Sequence, residues 1–179
     1  MSNLKKQYIE EGKIQLTKVL GIGNVMALPR LVKIVVNIGL GEALENKKAV
    51  ETMTAQLATI CGKKPTLCRA KKDISSFKLR QGEIVGLKVT LRGNRMYDFF
   101  EKLVKIVLPR IRDFRGVSEN GFDGKGGFTM GFSEQIVFPE IEYGQIDKVR
   151  GLEVTFLTSG RSKEETKKLL KFLGMPFRR

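Results

Sequence analysis

Apolar residues recur along the chain with two periodicities, which predict a mixture of helices and strands. Spacings of three and four residues, typical of amphipathic helices, predict four helices at residues 2–20, 46–62, 94–109 and 162–174. Runs rich in β-branched residues predict five strands at residues 31–38, 65–71, 84–92, 128–133 and 152–158. Side-chain oxygens are expected to cap the helix starts at Ser2, Asn46, Asn94 and Ser162, the last within a capping box that includes Glu165. Glycines are expected to end three of the helices, at Gly21, Gly62 and Gly174.

Helices and strands therefore follow the order α, β, α, β, β, α, β, β, α. The middle of this order matches the split β-α-β arrangement, in which helices pack on one face of an antiparallel sheet. We expect an α+β fold with a ferredoxin/RRM-like core and an open, polar sheet face. Because no internal repeat or linker is evident, residues 1–179 are expected to form a single domain. It would carry a projecting hairpin loop at 71–82 and a long glycine-rich loop at 110–127.

The open sheet face is predicted to be cationic. Alternation along the strands assigns ten positions to it: Lys33, Asn37, Arg69, Lys71, Lys88, Thr90, Arg92, Thr129, Ser133 and Thr155. Lysine and arginine occupy half of these positions, and Glu153 is an acidic exception. Since a one-sided sheet normally exposes polar side chains, an ordinary solvated face remains the alternative to a surface that binds a polyanion.

Composition favours the polyanion. Lysine and arginine number 33 against 19 acidic residues, which gives a formal net charge of +14. Nucleic acid and an anionic membrane are the main candidates for such a surplus, and nucleic acid is preferred. The segment GKKPTLCRAKKD (62–73) concentrates five of the cations and runs from a strand into the hairpin loop. Its Lys63 and Lys64 would neutralise phosphates without recognising a base sequence.

Catalysis and metal binding have few candidate residues. Histidine is absent, which excludes Ser-His-Asp and Cys-His catalysis and histidine metal sites. Cys61 and Cys68 are too few for a tetrahedral zinc site; one disulfide is conceivable, but reduced thiols in a cytoplasmic protein are the expectation. No signal peptide or transmembrane run is apparent, and the carboxylates form no acid–base pair. We therefore expect a protein that is not an enzyme and has no cofactor or metal.

Two nucleotide-binding motifs are only partly matched. NIGLGEAL (37–44) has two glycines between a strand and a helix but lacks the third glycine of a dinucleotide fingerprint. Its glycine turn could still meet a phosphate through backbone amides. KGGFTMGF (125–132) has a glycine where an RNA-recognition strand needs an aromatic residue. Its Phe128, Met130 and Phe132 are expected to face the core rather than stack on bases.

The hairpin loop, within AKKDISSFKLRQGEIVG (70–86), is too basic for a core and too apolar for a plain linker. Ile74 and Phe77 either pack the loop against itself, the preferred interpretation, or contact a nucleotide. Away from a partner we expect the loop to be mobile.

Residues 57–100, LATICGKKPTLCRAKKDISSFKLRQGEIVGLKVTLRGNRMYDFF, closely resemble the 5S-rRNA-binding ribosomal protein five family of the large subunit, in its bacterial or organellar form. The resemblance continues in PRLVKIVVNIGLGEA (29–43), GFDGKGGFTMGFSEQIVFPEI (121–141) and SKEETKKLLKFLGMPF (162–177). It covers essentially the whole chain.

This resemblance implies a structural constituent of the large ribosomal subunit, located on the cytoplasmic ribosome. It would bind 5S rRNA in the central protuberance among that region's other components, contact P-site tRNA and form an intersubunit bridge with small-subunit protein thirteen. The 5S rRNA would lie on the sheet face and first-helix region, with contacts at Lys33, Asn37, Lys63, Lys64, Arg69, Lys88, Thr90 and Arg92. The tRNA would meet the hairpin loop at Lys71, Lys72, Ser75, Ser76, Phe77, Lys78 and Arg80. The bridge is expected at the 110–127 loop.

Three other functions are less favoured. A DNA-binding protein fits the charge, but no helix carries the arginines and asparagines suited to a major groove. An enzyme acting on a phosphorylated substrate lacks a phosphate loop. A membrane-surface protein fits the basic, amphipathic C-terminal segment, but its capping box and glycine stop favour a packed helix.

Overall fold

A computed structural model describes residues 2–44, 46–142, 144 and 146–178, and its elements follow the predicted order. The helices are α1 (Asn3–Gln7), α2 (Lys13–Leu20), α3 (Lys47–Cys61), α4 (Asn94–Lys102), α5 (Leu108–Arg110) and α6 (Lys163–Phe172). π-helical turns at Tyr8–Gly12 and Leu103–Val107 join α1 to α2 and α4 to α5, so the described residues form four continuous segments of α- and π-helix. Among the described residues, no helix has the length and hydropathy needed to cross a membrane.

Within the part of the chain that the structure describes, five strands form one open sheet: β1 (Leu31–Gly39), β2 (Thr66–Arg69), β3 (Ile84–Leu91), β4 (Gly127–Phe132) and β5 (Leu152–Thr158). They are hydrogen-bonded in the order β2-β3-β1-β5-β4. β2 is antiparallel to β3, with Thr66 opposite Lys88 and an irregularity between Cys68 and Arg69. The predicted α+β class with an antiparallel sheet is confirmed. β5 lies beside β1, and β4 forms one edge of the sheet.

The chain divides into two compact units. The first contains the residues up to Ile34, Leu91–Met130, and the residues from Thr155 onward; the second contains Val35–Thr90 and Gly131–Val154. The expectation of a single domain stays a prediction.

Each unit has its own buried side chains. In the first unit, Phe156 contacts Phe100 edge-on at 5.5 Å and Phe128 at 6.1 Å between ring centroids. In the second unit, Met53 and Leu57 on one face of α3 are fully buried, as the spacing along that helix predicts. Such burial supplies most of the stability of an amphipathic helix.

Two of the predicted helix caps form. The Asn46 side chain accepts hydrogen bonds from the backbone N–H groups of Lys48 and Ala49 at the start of α3. At α6 the Ser162 hydroxyl accepts from the Glu165 N–H at 3.2 Å. The Glu165 carboxylate accepts from the backbone N–H of Arg161 at 2.8 Å, one residue before the position expected for a capping box. The predicted glycine ends at residues 21, 62 and 174 all have positive φ angles.

The other two caps were predicted wrongly. Ser2 occupies the N-cap position of α1, but its side chain makes no capping hydrogen bond. Gly93, with φ 64°, is the N-cap of α4, and Asn94 is the first helical residue. The Asn94 side-chain oxygen accepts instead from the Lys5 ammonium at 3.2 Å.

Two further boundaries differ from the prediction. β2 ends at Arg69, so Lys71 lies in the hairpin loop rather than on the sheet. The 110–127 segment contains a 3₁₀ turn, Glu119–Gly121, and is not wholly irregular. Val117 in this segment donates to the Pro176 carbonyl at 2.7 Å and accepts from the Arg178 N–H at 2.9 Å. These bonds hold the middle of the segment against the C-terminal residues.

Candidate nucleic-acid interface

β3 separates polar and apolar side chains as its alternation predicts. Leu87 and Val89 are almost fully buried, whereas Lys88 is exposed and Thr90 half-buried on the opposite face. Arg92 follows the strand and is exposed, but it belongs to the first unit. In the second unit, β3 therefore presents one cation and one hydroxyl on its open side.

β1 contributes Asn37 to the same unit. Asn37 is half-buried between Val36 and Ile38, both fully buried, so its amide lies on the face opposite the core. The alternation fails at the start of the strand: Leu31, which alternation places on the same side as Asn37, is buried, and Val32, which it places on the side of Ile38, is exposed.

Lys33, the remaining candidate on β1, is half-buried and lies in the first unit. The structure thus brings Asn37, Lys88 and Thr90 together within one unit, while Lys33 and Arg92 belong to the other.

Two of the exposed cations around β2 also form hydrogen bonds within the protein. Lys63 is exposed, and its ammonium donates to the backbone carbonyl of Thr90 at 2.9 Å. An ammonium has three N–H donors, so this bond leaves two for another partner. The Arg69 guanidinium donates to the Gly82 carbonyl at 2.8 Å, which closes the base of the hairpin loop, and Lys64 is exposed.

The hairpin loop, called the arm from here (residues 71–82), has a defined backbone. Ile74 and Leu79 exchange both of their N–H···O bonds, at 2.9 and 3.1 Å. A 3₁₀ turn, Ser75–Phe77, follows Ile74, and Lys78 then takes a left-handed conformation with φ 51°. A short hairpin inside the loop therefore carries the tip.

Side chains at the tip face outward. Phe77 is 71% exposed and Ile74 is 42% exposed. The preferred interpretation, in which both pack inside the loop, is wrong for Phe77. The other residues assigned to tRNA are all exposed: Lys71, Lys72, Ser75, Ser76, Lys78 and Arg80.

An ion cluster in the second unit was missed by the sequence analysis. The Arg150 side chain is 6% exposed; its guanidinium donates to Glu42 at 2.5 Å and to both oxygens of Asp147 at 2.7 and 2.8 Å. Lys148 donates to the second oxygen of Glu42 at 2.9 Å. Because Glu42 and Arg150 lie 108 residues apart, no local pattern signals their pairing.

The cluster changes the electrostatics of the glycine turn after β1. Hydrogen bonds from Lys148 and Arg150 lower the pKa of Glu42, and the bond from Arg150 lowers the pKa of Asp147 to about 2. Glu42 lies in the 3₁₀ turn Gly41–Leu44, which the sequence suggested as a phosphate-binding turn. Lys148 and Arg150, the cations at this turn, are therefore already paired with a carboxylate, which leaves less positive charge to attract a phosphate.

A groove of about 380 Å³ lies in the first unit, beside the first helix. Its cations are Lys5, Lys13 and Arg30, and apolar side chains such as the 85% exposed Met26 also line it. The Tyr8 hydroxyl in its wall donates to the Pro29 carbonyl at 2.9 Å, and burial raises the pKa of Tyr8 to about 12. This is the first-helix region that the resemblance associates with RNA.

β4 does not form an aromatic RNA-binding surface. Phe128 and Phe132 are buried, as predicted, and Met130 is half-buried. Thr129 and Thr155 share a hydrogen bond of 3.1 Å between their hydroxyls. These two threonines of the predicted open face therefore already have a partner in each other.

The described residues hold no group of three or more histidine, cysteine, aspartate or glutamate side chains able to bind a metal ion. Cys61 is buried and Cys68 is half-buried. The possible disulfide is not formed.

Comparison with known proteins agrees with the resemblance in the sequence. Residues 24–80 match the family model "Ribosomal protein L5", and residues 84–177 match the model for the C-terminus of the same ribosomal family. The chain is 54% identical to the large ribosomal subunit protein uL5 of Anaeromyxobacter sp. (strain K), over 99% of this chain and 98% of the relative. It is equally similar, over the same shares, to uL5 of Symbiobacterium thermophilum. It is 52% identical to uL5 of Carboxydothermus hydrogenoformans over the full length of both chains.

Proposed function

The chain belongs to the ribosomal protein L5 family, and from this premise we propose that it binds 5S rRNA and helps to attach it in the central protuberance of the large subunit. Membership makes it a structural constituent of the large ribosomal subunit, on the cytoplasmic ribosome, and not an enzyme. The RNA-contacting residues are a proposal that rests on their placement.

The open side of β1 and β3 in the second unit carries this proposal. It combines the Asn37 amide, the Thr90 hydroxyl and the Lys88 ammonium, all on the face opposite buried side chains. Amides and hydroxyls set the register on a folded RNA through hydrogen bonds to sugars, phosphates or bases, whereas an ammonium adds salt-dependent affinity. Lys63 supports the site because its ammonium binds the backbone of Thr90.

The test is a calorimetric titration of 5S rRNA with Asn37→Ala and Thr90→Val proteins. Each change removes hydrogen-bonding groups at about 1 kcal/mol, so affinity should fall roughly 5-fold. Thr59→Ala, which removes an exposed threonine hydroxyl on α3, is the matched control and should bind normally. Wild-type affinity for both face variants, with the fold intact by circular dichroism, would reject this assignment.

We propose further that the arm contacts P-site tRNA. Its four cations and exposed tip suit a phosphate backbone, and the outward Phe77 offers an aromatic face to a base or sugar. Ribosomes assembled with Lys78→Ala protein should release deacylated tRNA from the P site faster than wild-type ribosomes. An unchanged dissociation rate for Lys78→Ala and for Phe77→Ala would count against the contact.

The bridge to small-subunit protein thirteen is proposed at the 110–127 segment. Arg112 and Arg115 are exposed there, and the bonds of Val117 hold the segment in place beside them. An Arg112→Glu, Arg115→Glu protein should slow subunit association measured by light scattering, while Lys171→Glu, an exposed cation on α6, should not. Equal association rates for both proteins would place the bridge elsewhere.

A further inference from the structure

Two acidic side chains lie within the basic arm and its base, and we propose that Asp73 and Glu83 are positioning residues that shape the arm before tRNA arrives. This inference rests on the proposed contact between the arm and P-site tRNA.

Both carboxylates bind backbone amides. The Asp73 Oδ1 atom accepts from the Gln81 N–H at 2.6 Å, across the two sides of the arm. The Glu83 Oε2 atom accepts from the Arg80 N–H at 2.7 Å on the returning side. In the part of the chain that the structure describes, neither carboxylate forms an ion pair with the neighbouring lysines and arginines.

These bonds continue a ladder of contacts that begins at the base of the arm. The Ala70 N–H donates to the Glu83 carbonyl at 2.8 Å, and the Gly82 N–H donates to the Ala70 carbonyl at 3.0 Å. The Arg69 guanidinium donates to the Gly82 carbonyl. The Asp73 contact lies between this base and the Ile74–Leu79 pair. The carboxylates therefore join the anchored base to the exposed tip.

The negative charges of Asp73 and Glu83 oppose the binding of RNA to the arm. A carboxylate near phosphates repels them, so acids weaken an RNA contact unless they contribute something else. A charged acceptor binds an N–H more strongly than a neutral one, and a loop already folded in its bound shape loses less conformational entropy on binding. Asp73 and Glu83 thus favour binding through the shape of the backbone and oppose it through charge.

Substitutions at position 73 separate these two effects. Asp73→Asn keeps the acceptor and removes the charge, whereas Asp73→Ala removes both. In ribosomes assembled with full-length variants, deacylated P-site tRNA should dissociate 3- to 10-fold faster with Asp73→Ala and no faster than wild type with Asp73→Asn. Glu83→Ala and Glu83→Gln should repeat this pattern.

Hydrogen exchange of the free protein measures the shape without tRNA. The amides of Gln81 and Leu79 should exchange faster in Asp73→Ala and remain protected in Asp73→Asn. Unchanged protection in Asp73→Ala would overturn the positioning role, as would equally fast tRNA release from the alanine and asparagine variants.

Lys78→Ala separates the inference from the function on which it rests. Faster tRNA release with Lys78→Ala but not with Asp73→Ala would reject the positioning role and keep the arm as a tRNA contact. Normal release with both would reject the tRNA contact itself.

Discussion

At Gly86, β3 passes so close to β1 that there is no room for a side chain. A Cβ atom on residue 86 would lie 2.5 Å from the backbone carbonyl oxygen of Ile38, which cannot rotate away. Gly86→Ala should therefore lower the free energy of unfolding by about 1–3 kcal/mol, the range for overpacking, measured by urea denaturation. Gly39→Ala is the matched control, because no atom lies within 4 Å of its Cβ position. Equal unfolding midpoints for the two variants would contradict this account.

Also at the residue scale, Arg150 sets an acid-sensitive contribution to stability. The folded-state pKa of Asp147, about 2, is below the ordinary value of 3.8, and that of Glu42 is lowered as well. The ion pairs of these two carboxylates therefore contribute their full stability above the pKa values of the unfolded state. This stability is lost as the pH falls through the lower pKa values of the folded state.

Arg150→Met should lower the free energy of unfolding at pH 7 by about 1–2 kcal/mol, a modest figure because both carboxylates are partly exposed. It should also flatten the loss of stability between about pH 4 and pH 2. Urea denaturation at pH 7, 4 and 3 measures both effects. If the variant loses stability with acid as steeply as the wild type, the cluster is not the source.

At the scale of elements, α3 depends on its N-terminal cap. Asn46→Ala leaves the N–H groups of Lys48 and Ala49 without their side-chain acceptor and should cost about 1 kcal/mol of unfolding free energy. Asn46→Asp supplies an equivalent acceptor and should remain close to wild type in thermal denaturation. If the aspartate variant lost as much stability as the alanine variant, the cap would act through something other than this acceptor.

The caps also show what an element's own sequence can predict. Asn46 and Ser162 were predicted because their partners lie two or three residues away, within the same helix. Asn94 was assigned wrongly as a cap because its oxygen binds Lys5, 89 residues distant, and Gly93 takes the N-cap position. A hydrogen bond between neighbouring residues can be predicted from the local sequence. A bond to a distant residue, such as that between Asn94 and Lys5, cannot, because only folding brings the two residues together.

At the scale of the whole molecule, the net charge of +14 makes RNA affinity depend on salt. The position of each cation in the structure indicates whether it should contribute to this salt dependence. On the proposed binding of 5S rRNA, Lys88→Ala should reduce the slope of log K for this RNA against log salt by about 1, the effect of one lost phosphate contact. Asn37→Ala should weaken binding without changing the slope. Lys171→Ala, on α6, should change neither; a slope change equal to that of Lys88→Ala would indicate nonspecific attraction.

The sequence by itself determined the order of elements, the α+β class, the basic character and the family, because periodicity, charge and motifs such as residues 57–100 are properties of contiguous residues. Only the tertiary structure decided that β5 lies beside β1, that Glu42 meets Arg150, that Lys63 binds the Thr90 backbone and that Phe77 faces outward. The alternation of polar and apolar residues along a strand predicts which face is buried, but not which distant residues pack against that face. Such pairings depend on how the elements pack, so they appear only in the folded chain.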